Sequence, residues 1–522
     1  MSDDNGNNNI VRLLLRHIVR LVVYGVPGVL LTAIVVYVLI QQRRPDLESW
    51  HLAGLDAEFT VSQATEITTL ENYVAMEASL FRQLNERVYD IVPAEKQRRF
   101  LRFSPGSRAD PRKLFPDWNR TVERTHPQPR GAALLLHGLS DSPYSLRSMA
   151  ALLYELDMTV LTIRLPGHGT APSGLLLSNH RDWMAVVRLG MRHLASELEA
   201  GQPLFIVGYS TGAALAVEYA AARLLGEDLP PARGLILLSP AIGVSPLAAF
   251  AVWQSRLAAL PGLHTLAWTE ILPEYDPYKY NSFTVNAGDQ VYRLTRLVAS
   301  QLGALGSPRG ASGMPPILAF QSLADATVSA PAVLDALFLL LAPEGHELVT
   351  FDVNRHADIE LFLNVATLAT RSRLLEAPPL PFDFTLVANA NTETDRVVSL
   401  RRAAGSTVTV ETALDLAWPP DVYSLSHVAL PIAPDDPVYG AVPPEDGSIF
   451  LGRMDVRGER GLLVMSAANL LRLRYNPFYA YVKSRVVAFL VTKGLELPDT
   501  DAGQGRLRKE IVRVVDILEP DT

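Results

Sequence analysis

Between residues 131 and 357, short runs with almost no polar residue alternate with segments of helical period. ALLLHGL, Thr159–Arg164, PLFIVGY, GLILLSP, PPILAFQS and ELVTFDV read as strands. Ser145–Leu156, His180–Glu199, Thr211–Leu225 and Ala330–Leu341 read as helices. A strand that is apolar at nearly every position must be covered on both faces, whereas a strand with one wet face alternates. A helix between successive strands supplies the crossover that parallel pairing needs. The predicted fold class is therefore α/β, a mostly parallel sheet with helices on both faces.

Composition narrows the chemistry. The 522 residues include no cysteine, which excludes disulfides, thiol nucleophiles, cysteine-based zinc sites and thiolate-held clusters. Lys and Arg number 47 against 55 Asp and Glu, a formal charge of −8, and no Lys/Arg-rich block exists, so no nucleic-acid partner is expected. With 48% hydrophobic residues the chain can bury a sizeable core.

The mean hydropathy of +0.14 has one source near the start. LVVYGVPGVLLTAIVVYVLI, from Leu21 to Ile40, carries no charge. As one helix it would span roughly 30 Å, about one hydrocarbon core. Arg12, Arg16 and Arg20 precede it, and Arg43 and Arg44 follow. Tyr24 and Tyr37 lie near its ends, and Pro27 is expected to kink it. The run is longer than a signal-peptide core, and VLIQQRR offers no A-x-A cleavage site. The expectation is one uncleaved transmembrane helix, with the N-terminus cytoplasmic and the large domain periplasmic or otherwise extracytoplasmic.

The chain then divides into a short N-terminal tail (1–20), a transmembrane anchor (21–40), an N-terminal extension (45–130), a main domain (131–493) and a C-terminal tail (494–522). Within the extension, Glu66–Val88 has the apolar spacing of a helix. Residues 245–312 break the strand–helix rhythm, and about 357–420 form a second insertion. FTLVANA and STVTVETALDL read as strands, and Asn476–Lys493 reads as a helix.

Gly208-Tyr209-Ser210-Thr211-Gly212 fits G-x-S-x-G, directly after the strand LFIV and directly before a helix. In that setting the turn is too tight for side chains at the glycines, and the serine is held strained with its hydroxyl exposed. A nucleophile of this kind needs two backbone N–H groups aimed at the developing oxyanion. Thr211, the residue after the serine, should supply one, and Leu139, after the strand ending at His137-Gly138, the other. His137 itself reads as structural.

HGLSDSPYS, then RLPGHGTAPS, then GYSTG, in this order and spacing, resembles the α/β-hydrolase fold. Within it the chain is similar to the bacterial monoacylglycerol lipase and carboxylesterase group, also described as serine aminopeptidase-like or lysophospholipase-like hydrolases. The resemblance covers about residues 130–357 and implies that Gly167-His168-Gly169 shapes the site without catalysing. It also implies a Ser, acid, His order along the chain. Asp325, in Asp325-Ala326-Thr327-Val328 after ILAFQS, resembles the family's D-x-x-V acid. Three histidines follow it. His346 precedes a strand, at the wrong end for the site. His356, in NRHADIE, has the ordinary spacing of 31 residues. His427, 102 residues on in YSLSHVALP, has the family's histidine-loop sequence and is the expected base, with His356 as the alternative. An insertion between strand and loop adds little closure entropy. Asp395 is an alternative acid, 32 residues before His427.

The expected architecture is an α/β-hydrolase fold with a lid at 245–312, a C-terminal extension and the N-terminal anchor. The apolar stretch Leu247–Leu266 could guide acyl chains or serve ordinary helix packing, and EYDPYKYNSF could line a pocket or be a loop. The expected activity is a serine hydrolase cleaving carboxylic esters, monoacylglycerol- or lysophospholipid-like, at a membrane. Amide, thioester or acyl-transfer chemistry and a non-catalytic binding module are the alternatives. No metal and no cofactor are implied, the partners are an acyl ester and the membrane, and protein partners are left open.

Overall fold

The computed structural model describes residues 16–17, 19–41, 44–113, 116–243, 264–306, 310–357, 365–454, 465 and 467–498. Twelve strands run β1 Val122–Arg124, β2 Gly131–Leu136, β3 Met158–Ile163, β4 Leu204–Tyr209, β5 Gly234–Leu238, β6 Trp268–Glu270, β7 Phe283–Thr284, β8 Ile317–Ser322, β9 Glu347–Phe351, β10 Asp383–Asn389, β11 Arg396–Arg402 and β12 Thr409–Ala417. Ten form one sheet in the order β1-β3-β2-β4-β5-β8-β9-β10-β11-β12. From β3 across to β10 all pairs are parallel, and β1, β11 and β12 join antiparallel at the edges.

The apolar runs explain the layering. Every residue of β2, β3, β4, β5, β8 and β9 is buried. Successive residues of a strand point to opposite faces, and two cores result. Leu134, Leu136, Ile206, Leu235 and Leu237 pack with the helices His180–Glu197, Thr211–Leu224 and Val285–Leu305. Leu135, Phe205, Val207, Ile236 and Leu238 pack with the helices Arg147–Glu155 and Tyr479–Thr492. Arg485 of the last helix makes a two-pronged ion pair with Glu347 of β9, at 2.6 and 3.1 Å.

The N-terminal extension is built onto this core. Thr69 caps a helix over Leu70–Arg87 by accepting the Asn72 N–H at 3.2 Å. Its buried stripe includes Tyr73, Glu77, Leu80 and Leu84. Glu77 and Glu58 hold the fully buried Arg164 guanidinium at 2.7 and 2.8 Å, tying the extension to the loop that follows β3.

Three expectations need adjustment. Residues 357–420 are no loose insertion: β10 adds parallel to β9, and β11 and β12 continue the sheet. Much of the expected lid, 244–263, lies outside the described residues, and so does the tail from 499. The described end of that region, Val285–Leu305, is a core helix that buries Leu294, Val298 and Leu302. The expected single membrane helix over Leu21–Ile40 is instead a π-helical turn, Leu21–Gly25, followed by an α-helix, Val26–Gln41. Pro27 lacks an N–H and lies between Gly25 and Gly28, so a change of helix type falls there. Among the described residues no helix is long and apolar enough to cross a membrane.

Candidate active site

Ser210 ends β4 and opens the helix Thr211–Leu224 with φ 53° and ψ −113°. That is left-handed backbone for a residue with a Cβ, stored strain of the kind that exposes a nucleophile. The flanking glycines are sterically required. A Cβ at Gly208 would stand 2.4 Å from Ala213 Cα, and one at Gly212 would stand 2.0 Å from the Leu136 carbonyl oxygen. The turn is fastened by Ser210 N to Leu238 O (2.9 Å) and Ala241 N to Ser210 O (3.0 Å).

His427 begins a 3₁₀ turn, His427–Ala429, well after β12. Its Nε2 lies 3.1 Å from Ser210 Oγ and its Nδ1 lies 2.7 Å from Asp325 Oδ2. The imidazole is 5% exposed and the Asp325 side chain 0%, so bulk water does not compete for the contact. Asp325 Oδ1 accepts the N–H groups of Thr327 (2.8 Å) and Val328 (2.9 Å), and Oδ2 also accepts from Gln321 Nε2 (3.1 Å). Burial pushes this carboxyl up, but the His427 charge and hydrogen bond and the two N–H groups outweigh it, and the net direction is down. The arrangement can therefore hold Nδ1–H toward a carboxylate and leave Nε2 free to accept a proton from Ser210.

The alternatives do not converge. His356 is exposed, and its Nδ1 faces the Thr392 carbonyl at 3.2 Å. Asp395 lies in the β10–β11 turn, where its carbonyl accepts the Trp418 N–H. His346 is buried where β8 begins, accepting the Ile317 N–H, and burial pulls its pKa down to about 4. His137 is fully buried and donates from Nδ1 to Gly138 O while Nε2 accepts the Leu165 N–H at 3.0 Å. Burial and the neighbouring His168 hold its pKa well below the ordinary value, which fits a structural imidazole. His168 stacks edge-on between His137 and Trp183.

Thr211 opens the helix directly after Ser210 and Leu139 lies in the loop after β2, and neither N–H has a hydrogen-bond partner among the described residues. The loop bearing Leu139 is gripped from outside by the segment Glu274–Tyr280. Tyr280 N donates to Ser140 O at 2.8 Å, and Lys279 Nζ reaches Asp141 Oδ1 at 2.9 Å. Ser140 takes φ 61°, so this loop is itself held strained. Tyr278 stacks on Tyr144 with centroids 3.8 Å apart. Burial raises the Asp141 carboxyl, and Lys279 counteracts this.

A cleft near the end of β4 is lined among others by Tyr209, the chain neighbour of Ser210, and by Asp141, Lys279, Asp276, Tyr439 and Arg474. Asp276 accepts from Tyr439 OH and pairs with Arg474 at 3.3 Å. Sequence reasoning missed these residues as a set. They come from five segments between 141 and 474, and the one available signal was the aromatic-polar composition of EYDPYKYNSF. Among the described residues no group of three or more His, Asp or Glu is arranged to hold a metal.

The segment that carries Ser210 and Asp325 is similar to known hydrolases. Residues 127–357 match the family described as serine aminopeptidase, S33. The chain is 30% identical over 116 residues to the thermostable monoacylglycerol lipase of Bacillus sp. (strain H-257), covering 22% of this chain and 43% of that one. It thus spans less than half the length of that relative. Among solved structures, a metagenome-derived lipolytic enzyme of the LipS and LipT study aligns with TM-score 0.35 and 23% identity, over 45% of this chain and 87% of that chain. The monoacylglycerol lipase of Paleococcus ferrophilus aligns with TM-score 0.33 and 21% identity, over 44% and 88%. The fold is read from the sheet order and the family match rather than from these superpositions. Over residues 127–357 the chain has an α/β-hydrolase core and is similar to the family described as serine aminopeptidase, S33.

Proposed function

We propose that the chain is a serine hydrolase that cleaves carboxylic esters through an acyl-enzyme. The observation that carries this is the continuous relay from Ser210 Oγ through His427 to Asp325, at 3.1 and 2.7 Å. Ser210 attacks the ester carbonyl, and His427 Nε2 takes its proton and returns it to the leaving alcohol. Asp325 fixes the imidazole tautomer and stabilises the imidazolium. The N–H groups of Leu139 and Thr211 receive the oxyanion. Water, deprotonated by His427, then releases the acid and restores Ser210. No group beyond these side chains enters the scheme.

The substrate class follows from the cleft. Its Asp, Lys, Arg and Tyr lining suits a hydroxylated or charged leaving group, such as the glycerol of a monoacylglycerol or the head of a lysophospholipid. The name of the matched family favours a second reading, an amide or peptide leaving group handled by the same three residues.

Membrane attachment through Leu21–Gln41 belongs to the same reading. Val29 and Leu31 are 71% and 63% exposed, and an unpartnered apolar surface of that kind suits lipid. Three arginines before the run against two after it favour a cytoplasmic N-terminus with the catalytic domain outside.

The deciding experiment treats the full chain and Ser210→Ala with a fluorophosphonate probe and then with p-nitrophenyl esters and matched anilides. Labelling and ester turnover that vanish in the variant support the proposal, and anilide preference supports the second reading. An unlabelled wild-type chain overturns both. Release of the chain from membranes by alkaline carbonate would overturn the attachment.

A further inference from the structure

A second cleft shares no lining residue with the first. It lies between the N-terminal extension and Gly169, and Arg102, Arg112 and Arg120 all line it. Arg112 sits over the Tyr89 ring at 3.7 Å and Arg120 over the Phe81 ring at 3.8 Å. A guanidinium resting on an aromatic face keeps N–H groups available around its edge. Each of these two has a carboxylate, Arg112 with Asp110 at 2.8 Å and Arg120 with Asp117 at 3.3 Å.

Arg102 differs. It is 1% exposed, and among the described residues no carboxylate stands within ion-pair distance. Its Nη2 donates to Asn119 Oδ1 (3.1 Å) and Gly169 O (2.8 Å), while Nε and Nη1 have no partner. Glu274 is close enough to feel its charge, but among the described residues the two form no ion pair. That carboxyl accepts the N–H groups of Asn281 and Ser282, and burial raises it toward the neutral form. Arg112 and Arg120 are each paired with a carboxylate, whereas the Arg102 guanidinium lies over the Phe103 and Tyr280 rings at 5.5 and 5.4 Å. A buried guanidinium with two unused donors and no counterion is a costly arrangement unless something fills it.

We propose that this cleft binds a tetrahedral oxyanion, a phosphate either free or carried as a monoester. Arg112 and Arg120 flank it, and the buried Arg102, which also lines the cleft, contributes its charge. A phosphate offers more acceptor oxygens than a carboxylate, which suits three guanidiniums around one space. This site is independent of the ester chemistry at Ser210.

The test follows thermal unfolding of the full chain against inorganic phosphate and, separately, against glycerol 3-phosphate, with sodium chloride holding ionic strength constant. The expected result is a saturable rise in Tm of about 1–3 °C at ten or more times Kd. Arg102→Met should abolish it. Arg120→Gln, at the half-exposed rim, should weaken binding severalfold in calorimetric titration while leaving the fold intact, and decides the matter if Arg102→Met does not fold. The tighter of the two probes identifies the free or the ester-borne anion. A shift no larger than that of chloride, or one unchanged in Arg120→Gln and Arg102→Met, overturns the proposal.

Discussion

His427 Nδ1 stands 2.7 Å from Asp325 Oδ2 across 102 residues of chain. The contact puts a base against Ser210 that the matched family segment, ending at residue 357, does not contain. On the proposed chemistry His427→Ala lowers kcat by about 10⁴–10⁶-fold, and Asp325→Asn by about 10⁴-fold. His356→Ala, at an exposed imidazole, leaves turnover of p-nitrophenyl esters within about twofold. Loss confined to the His356 variant would refute the assignment.

Gly212 is the tightest point of the nucleophile turn. The alanine Cβ would stand 2.0 Å from Leu136 O and 2.7 Å from His137 O, both backbone atoms that cannot swing aside. Gly212→Ala is expected to cost about 3 kcal/mol and most of the activity. Denaturant unfolding beside ester turnover checks this, and an unchanged midpoint would contradict it.

Lys279→Met removes the cation from buried Asp141 and loosens one of the two ties on the loop that presents Leu139. A fall in kcat of about 10–100-fold, with KM changed less, is expected. Adding Asp141→Asn removes the stranded carboxylate and should recover stability. If KM carries the whole effect, Lys279 acts on binding instead.

Glu274 gives a pH signature. Burial raises its folded pKa to about 7, above the ordinary carboxylate value. Below the unfolded pKa both states are protonated and the folded state is unpenalised. As pH rises from about 4.5 to 7 the unfolded chain loses its proton first, so stability falls, by up to about 3 kcal/mol, and levels off above 7. Glu274→Gln should flatten this slope in urea titrations between pH 5 and 8. An identical slope in both proteins would refute the role.

What was legible in the sequence follows from where the determinants lie. The parallel strands announce themselves because each is apolar along its whole length, and Gly208, Ser210 and Gly212 because a local turn demands them. The choice of His427 over His356 rested on loop sequence, and the structure brings His427, not His356, to Ser210. β11 went unread because Arg396, Arg401 and Arg402 flank a short apolar centre that Ser399 interrupts. At Leu21–Ile40 hydropathy alone did not show the change from π- to α-helix beside Pro27. The grip of Lys279 and Tyr280 on the loop after β2 could not be read, because such pairs join residues about 140 positions apart and leave no periodic trace.

The position of His427 beyond β12 also sets an order of events in time. While the chain is being synthesised, Ser210 and Asp325 emerge long before the imidazole that would activate the serine. The 70 residues from 357 to 427 take on the order of several seconds to translate at roughly 5–20 residues per second. Even then, the helix Tyr479–Thr492 that covers the same face of the sheet has yet to appear. On the proposed chemistry the nascent hydrolase stays unarmed until its sheet is complete, and a fragment cut at the family boundary would fold around a serine that never reacts.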